Sequence, residues 1–179
     1  MSRDPCHCKT PPERWAGSDF QDPPRSEGGV ALCGACRERG VCRLGVISEQ
    51  LDKAGTARFE LYCPADQEGG PNVAHGGWTA AVFDECLGHV PLLNGVLAVT
   101  AELGVTFVKP VPIERRVEVK AWVDRREGSR WYISGEMALL PGRALLAKAR
   151  GIWVTRDRAH FARFDDWLAA QDAQGDGNT

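Results

Sequence analysis

Residues 72–88 read N-V-A-H-G-G-W-T-A-A-V-F-D-E-C-L-G, and this stretch organises everything around it. His75-Gly76-Gly77 is a turn that opens a helix, predicted to run from His75 or Gly76 to about Val90, with Gly88 and Pro91 marking its end. One stripe of that helix holds Gly77, Ala80, Ala81, Asp84, Leu87 and Gly88. Most of these are small, so another backbone can come close to the Asp84 carboxylate. A second stripe, Trp78, Val82, Cys86 and His89, is bulkier and suits packing into a sheet.

The flanking sequence supplies that sheet. Val46–Glu49 and Thr56–Cys63 read as short strands around the turn Asp52-Lys53-Ala54-Gly55, and 64–71 as a loop. Four apolar stretches follow the helix: Val96–Val108, Val117–Arg125, Arg130–Leu140 and Ala144–Thr155. V-E-V-K-A-W-V-D, residues 117–124, alternates with period two, as a half-buried strand should. The breaks between the stretches are short and rich in Pro and Gly, which implies antiparallel neighbours. The fold class expected is α+β, an antiparallel sheet wrapped around one long helix. Phe161, Phe164, Trp167 and Leu168 recur at helical spacing and predict a short amphipathic C-terminal helix over 157–171.

Residues 1–29, rich in Pro, Gly, Asp, Arg and Ser, read as a flexible arm, though Trp15 and Phe20 could pin part of it. Residues 30–44 form a cysteine-containing lead-in, 45–156 the core domain and 172–179 a disordered tail. With 179 residues and a formal net charge of −2, the chain offers one domain and no global electrostatic case for nucleic acid or a membrane surface. No apolar run is long enough to span a membrane and the N-terminus has no apolar signal core, so a soluble cytoplasmic protein is expected. Its seven cysteines then read as thiols.

The helix start carries unpaired N–H groups and a partial positive charge, and glycines there let a substrate oxygen approach. This geometry would polarise a carbonyl and hold an oxyanion. Asp84 would then serve as general base or nucleophile. Gly76 and Asp84 are eight residues apart, roughly 12 Å along one helix at about 1.5 Å per residue. A water on the second cannot reach a carbonyl held by the first. If both act on one substrate they come from different chains, which predicts a dimer. The plainer reading makes Asp84-Glu85 a solvated helix face and His75 a structural hydrogen-bonder rather than a base.

H-G-G-W-T-A-A-V-F-D-E-C-L-G, together with T-A-E-L-G-V-T-F-V-K-P-V-P at 100–112, resembles the hotdog-fold acyl-CoA thioesterases of the phenylacetate-pathway and 4-hydroxybenzoyl-CoA type. The resemblance covers about residues 44–156. It implies a hotdog fold, hydrolysis of an acyl-CoA or acyl-carrier thioester, no cofactor, and sites shared across a homodimer or homotetramer. It casts Asp84 as base or nucleophile, Gly76 as the carbonyl-polarising N–H, His75 as the turn histidine and Thr100 as a strand residue orienting water or the carboxylate. Gly77 and Asn72 are expected near the substrate. Lys109 and Arg150, with Arg115 and Arg116, are candidates for the CoA phosphates. Many relatives carry an Asn or Gln about six residues before the His, where this chain has Gly69; Asn72 is the nearby amide.

Two features stand outside this scheme. Cys33, Cys36 and Cys42, with Cys6, His7 and Cys8, could offer zinc ligands, although one C-x-x-C is weak evidence and no metal is assigned to the site. Trp78, Trp122, Trp131 and Trp153 could line an aromatic pocket or serve the core. The rival to the hydrolase is a non-catalytic acyl-CoA-binding or sensing protein on the same fold. A hotdog dehydratase fits less well, and a third reading makes the cysteine arm a zinc-stabilised interaction module.

Overall fold

A computed structural model describes residues 23–157 and 159–175. A single turn of helix, α1 (Gly34–Arg37), leads into β1 (Val46–Leu51) and β2 (Ala57–Tyr62). A small hairpin follows, β3 (Glu68–Gly70) and β4 (Val73–Ala74), then the long helix α2 (Gly76–Leu93). Four long strands come next: β5 (Ala98–Phe107), β6 (Arg116–Glu127), β7 (Arg130–Leu139) and β8 (Ala144–Thr155). Helix α3 (Ala159–Gly175) ends the described chain.

Six strands make one antiparallel sheet in the order β1-β2-β6-β7-β8-β5. The period-two pattern decides its faces. Val117, Val119 and Ala121 of β6, Ile133 and Met137 of β7, and Ala147 and Trp153 of β8 are buried. Helix α2 answers them with Trp78, Val82, Phe83, Cys86, Leu87 and Val90. Each large side chain so buried is worth roughly 1.5–3 kcal/mol, so this interface dominates the stability. The helix lies close: a side chain at Gly135 would meet Leu87 Cδ1 at 2.7 Å. The expected architecture, a curved antiparallel sheet around one long helix with a further helix at the C-terminus, is the observed one.

Four boundaries differ from the sequence reading. Helix α2 continues through Pro91 to Leu93. Proline removes one N–H but leaves the last turn intact, and Asn94 closes it by donating from Nδ2 to the Val90 carbonyl at 2.8 Å. The loop expected at 64–71 contains a 3-10 turn, Ala65–Gln67, and strand β3. Helix α3 includes 172–175, placed in the tail by the sequence, and Phe161, Phe164, Trp167 and Leu168 are exposed.

The fourth difference is at the other end. Residues 1–22 lie outside the described residues, and with them Trp15, Phe20, Cys6, His7 and Cys8. From Pro23 onward the expected arm is packed. Arg25 bridges to Ala31, and Val30, Ala31 and Leu32 are buried. The cause is Glu49 on β1. Its Oε1 accepts the Ala31 N–H and an Arg25 guanidinium N–H, both at 2.9 Å. A buried carboxylate needs such donors, and this segment provides them. No described helix is long and apolar enough to cross a membrane.

Candidate active site

His75 is the N-cap of α2. Its extended backbone (φ −61°, ψ 137°) turns the chain into the helix, and its Nδ1 accepts the Gly77 N–H at 2.9 Å. The structure therefore uses His75 as the hydrogen-bonding residue of the turn. Gly77 is spoken for by the same bond, and a side chain there would crowd His75 Nδ1 at 2.9 Å, so its glycine serves the cap rather than a substrate. Gly76 differs. It is the first helical residue, exposed, and a side chain there would make only ordinary contact with Phe107 at 3.6 Å. Packing does not demand this glycine, and its N–H stands at the helix start, where no intrahelical acceptor is available.

Asp84 lies two turns further on. Its small neighbours leave room for another backbone, and in the single chain it is exposed. Thr100 Oγ1 donates to Asp84 Oδ1 at 2.7 Å, joining α2 to β5. The two share a cavity of about 340 Å³ with Glu85, Gly88, Trp153 and the N-terminal segment at Pro23, Ala31 and Leu32. Gly76 belongs to a different cavity, with Thr79, Phe107 and Lys109. The separation of roughly 12 Å worked out from the sequence thus leaves the two residues in separate cavities on one chain, the candidate half-sites.

The remaining candidates divide. Lys109 sits beside Gly76, held by its N–H on the Leu146 carbonyl at 2.9 Å. Arg150 alternates with buried Ala149 on β8 and lies with Trp122, Ser134 and Lys148, in neither half-site. Arg116 is paired with Glu60 at 2.7 Å. Asn72 occupies the β3–β4 turn with φ +60°, a conformation Asn tolerates better than most residues. Its carbonyl accepts the Ile113 N–H, so the position is explained by the turn.

Among the tryptophans, Trp78 donates Nε1–H to the Leu44 carbonyl at 3.3 Å and Trp122 donates to Asp124 at 3.0 Å. Trp153 is the one that lines the cavity of Asp84. No cluster of three or more metal-binding side chains occurs among the described residues. Burial pushes the Cys36 thiol up to about 11, against the opposing pull of the Arg43 N–H, which makes it a poor nucleophile. Cys63 and Cys86 are buried thiols, as expected.

The sequence reading missed one network. His89 Nδ1 and Glu49 Oε2 are 2.6 Å apart, and His89 Nε2 lies 3.4 Å from Glu85 Oε1. Burial alone would lower the His89 pKa, but the two carboxylates override it and raise it from 6.5 to about 9. Burial likewise opposes ionisation of Glu49, and His89, Ala31 N–H and Arg25 together hold its pKa below the ordinary value. The partners are 40 residues apart, so no local pattern announces them.

Known proteins resemble this chain in sequence and in fold. A family model described as the thioesterase superfamily matches residues 71–159. Mouse acyl-coenzyme A thioesterase THEM4 is 29% identical over 90 residues, 50% of this chain and 39% of the mouse protein. The chain thus spans about two fifths of that curated relative's length. The PaaI protein from the phenylacetic acid degradation operon of E. coli superposes with a TM-score of 0.56 at 17% identity, over 70% of this chain and 86% of that one. A hypothetical thioesterase of Streptococcus pneumoniae solved with coenzyme A superposes with a TM-score of 0.56 at 14% identity, over 61% and 84%. At these identities the superpositions establish the fold.

Proposed function

Since residues 71–159 belong to the thioesterase superfamily, we propose that the protein hydrolyses an acyl-CoA or acyl-carrier thioester to a free acid and a thiol. The observation that carries this reading is the 2.7 Å bond from Thr100 to Asp84 in a cavity beside the long helix. Thr100 occupies Oδ1 and fixes the carboxylate, leaving Oδ2 free to take a proton from water. The water oxygen then bonds to the thioester carbon, and the carbonyl oxygen becomes an oxyanion received by the Gly76 N–H of a second chain. Collapse re-forms the carbonyl, breaks the C–S bond and returns the proton from Asp84 to the leaving thiolate. In the nucleophilic variant Asp84 Oδ2 bonds to the thioester carbon and the C–S bond breaks, expelling the thiolate. Water then cleaves the mixed anhydride to the free acid and the Asp84 carboxylate, and the proton it releases goes to the thiolate.

A homodimer, alone or within a homotetramer, follows from the split half-sites. Strand β5 supports it. It is an edge strand of ten residues, ends in exposed Phe107 and Val108, and carries Thr100. A long exposed edge invites pairing with another strand. Lys109, beside Gly76, is the cation best placed for a CoA phosphate.

The exposure of Asp84 in the single chain keeps the binding or sensing reading in play, because an exposed acid needs no catalytic use to justify it. One experiment separates the two. The purified chain is assayed on acyl-CoAs of varied length and aromaticity, with thiol release and CoA binding both measured. Thiol release abolished by Asp84→Asn supports the hydrolase. Binding without release in the wild type supports the sensor.

A further inference from the structure

Trp153 presents a buried hydrogen-bond donor that the fold leaves unused. It lies near the C-terminal end of β8, 1% exposed, opposite Thr100 on β5 and opposite Trp131 on β7. Its Nε1 is buried, and no described residue accepts its N–H. Trp78 and Trp122 both have acceptors, and among the described tryptophans the buried unpaired N–H belongs to the one that lines the Asp84 cavity.

The orientation of the ring is fixed from both sides. A side chain at Gly151 would strike the ring at Cζ3 and Cη2, at 2.8 and 2.9 Å, so the six-membered edge packs there. A side chain at Gly88 would lie 3.2 Å from Nε1 and 3.9 Å from Cδ1, so the N–H edge faces α2 and the cavity. Gly88 therefore keeps the space over the N–H clear. Glycine inside a helix weakens it, and an unpaired buried N–H is unfavourable. Both penalties fall at one point of one cavity. An acceptor atom entering there relieves the second and uses the opening left by the first.

Most other polar side chains of that cavity are hydrogen-bonded, and the open Asp84 Oδ2 is an acceptor that cannot serve a substrate oxygen as a donor. Thr100 is on Asp84, and His89 is held by Glu49 and Glu85. Apolar Leu32, Leu92, Val96 and Leu97 complete the wall. Resting on the thioesterase reading, we infer that this cavity is the acyl pocket and that it selects acyl groups carrying a carbonyl or ether oxygen, received by Trp153 Nε1–H. Gly88 follows Asp84 by one helical turn, about 6 Å, so the oxygen belongs about that far from the attacked carbon. An oxygen on the fifth acyl carbon has that reach.

The test compares 5-oxohexanoyl-CoA with its apolar isostere 5-methylhexanoyl-CoA, using the full chain. The wild type is expected to favour the oxo substrate by about 10-fold in kcat/KM, the size of one buried hydrogen bond. Trp153→Phe, which deletes the N–H, and Gly88→Ala, which covers it, should each abolish that preference. The indole N–H resonance of Trp153, assigned by its loss in Trp153→Phe, should move downfield with the non-hydrolysable oxo thioether analogue of CoA and not with the methyl analogue. Equal turnover of both thioesters with an unmoved resonance overturns the inference and leaves the hydrolase standing. The downfield shift in a chain that cleaves neither thioester keeps the donor and removes the hydrolase. A preference that survives in Gly88→Ala or Trp153→Phe also overturns it.

Discussion

Thr100 Oγ1 donates to Asp84 Oδ1 at 2.7 Å, tying the edge strand β5 to the middle of the central helix. The bond makes one carboxylate oxygen an acceptor already used, and the other is the reacting atom in the mechanism proposed above. Asp84→Asn should therefore lower turnover about 10²-fold or more, the contribution of a general base, with little change in folding because the side chain is exposed. Thr100→Ala should cost about 10-fold by releasing the carboxylate, and Thr100→Ser should restore most of it. A Thr100→Ala enzyme with wild-type kcat would remove the positioning role.

Gly76 permits a sharper test of the shared site. It is the first residue of α2, where proline is well tolerated, and His75 before it is already extended. Gly76→Pro deletes the N–H while keeping the helix start. Turnover should fall about 10²–10³-fold, as for loss of an oxyanion donor. Mixing Gly76→Pro with Asp84→Asn chains then gives mixed dimers with one intact site. Such a mixture should recover about a quarter of wild-type activity if half the dimers are mixed. A mixture as inactive as its components would mean that both groups act within one chain.

Periodicity alone made the core legible. Val117, Val119 and Ala121 alternate inward, and Trp78, Val82 and Cys86 form the buried stripe of α2. The site was legible where one segment carries it: the Gly76 turn and the Asp84 helix face read directly from residues 72–88. Arg150 illustrates the limit. By sequence it is a phosphate candidate alongside Lys109, but strand alternation sends it to the outer face with Lys148. Glu49, His89 and Arg25 mark a second limit. Their pairing joins β1, α2 and the N-terminal segment across 24 and 40 residues, which only the tertiary fold specifies.

The His89 network predicts a pH profile for stability. A raised histidine pKa means that protonation favours the folded state. That contribution is complete below about 6.5 and is lost as pH rises toward about 9. The lowered Glu49 pKa acts on the other side: its contribution is present above 4.5 and is lost as pH falls through its folded-state pKa. The network should thus be strongest between about 4.5 and 6.5. Melting measured from pH 6.5 to 9.5 should show Tm falling by about 5 °C in the wild type. In His89→Gln the decline should be flatter. Parallel curves for the two proteins would assign the pH dependence elsewhere.

By composition alone, residues 1–29 read as a flexible arm whose removal would cost little. The structure changes that expectation, because Pro23 lines the Asp84 cavity and Arg25 neutralises the buried Glu49 at 2.9 Å. Removing 1–29 should leave Glu49 with His89 and the Ala31 N–H, and should open one wall of the cavity. Arg25 is itself partly exposed, with 42% of its side chain accessible, so solvent screens the pair and the direct electrostatic loss is about 1 kcal/mol. Arg25→Ala should therefore lower Tm by about 2–4 °C and leave the cavity wall in place. Deletion of 1–29 should lower it further and also raise KM for acyl-CoA substrates. If the deletion matches Arg25→Ala in both Tm and KM, the segment acts only through its charge, and Pro23 has no part in shaping the pocket.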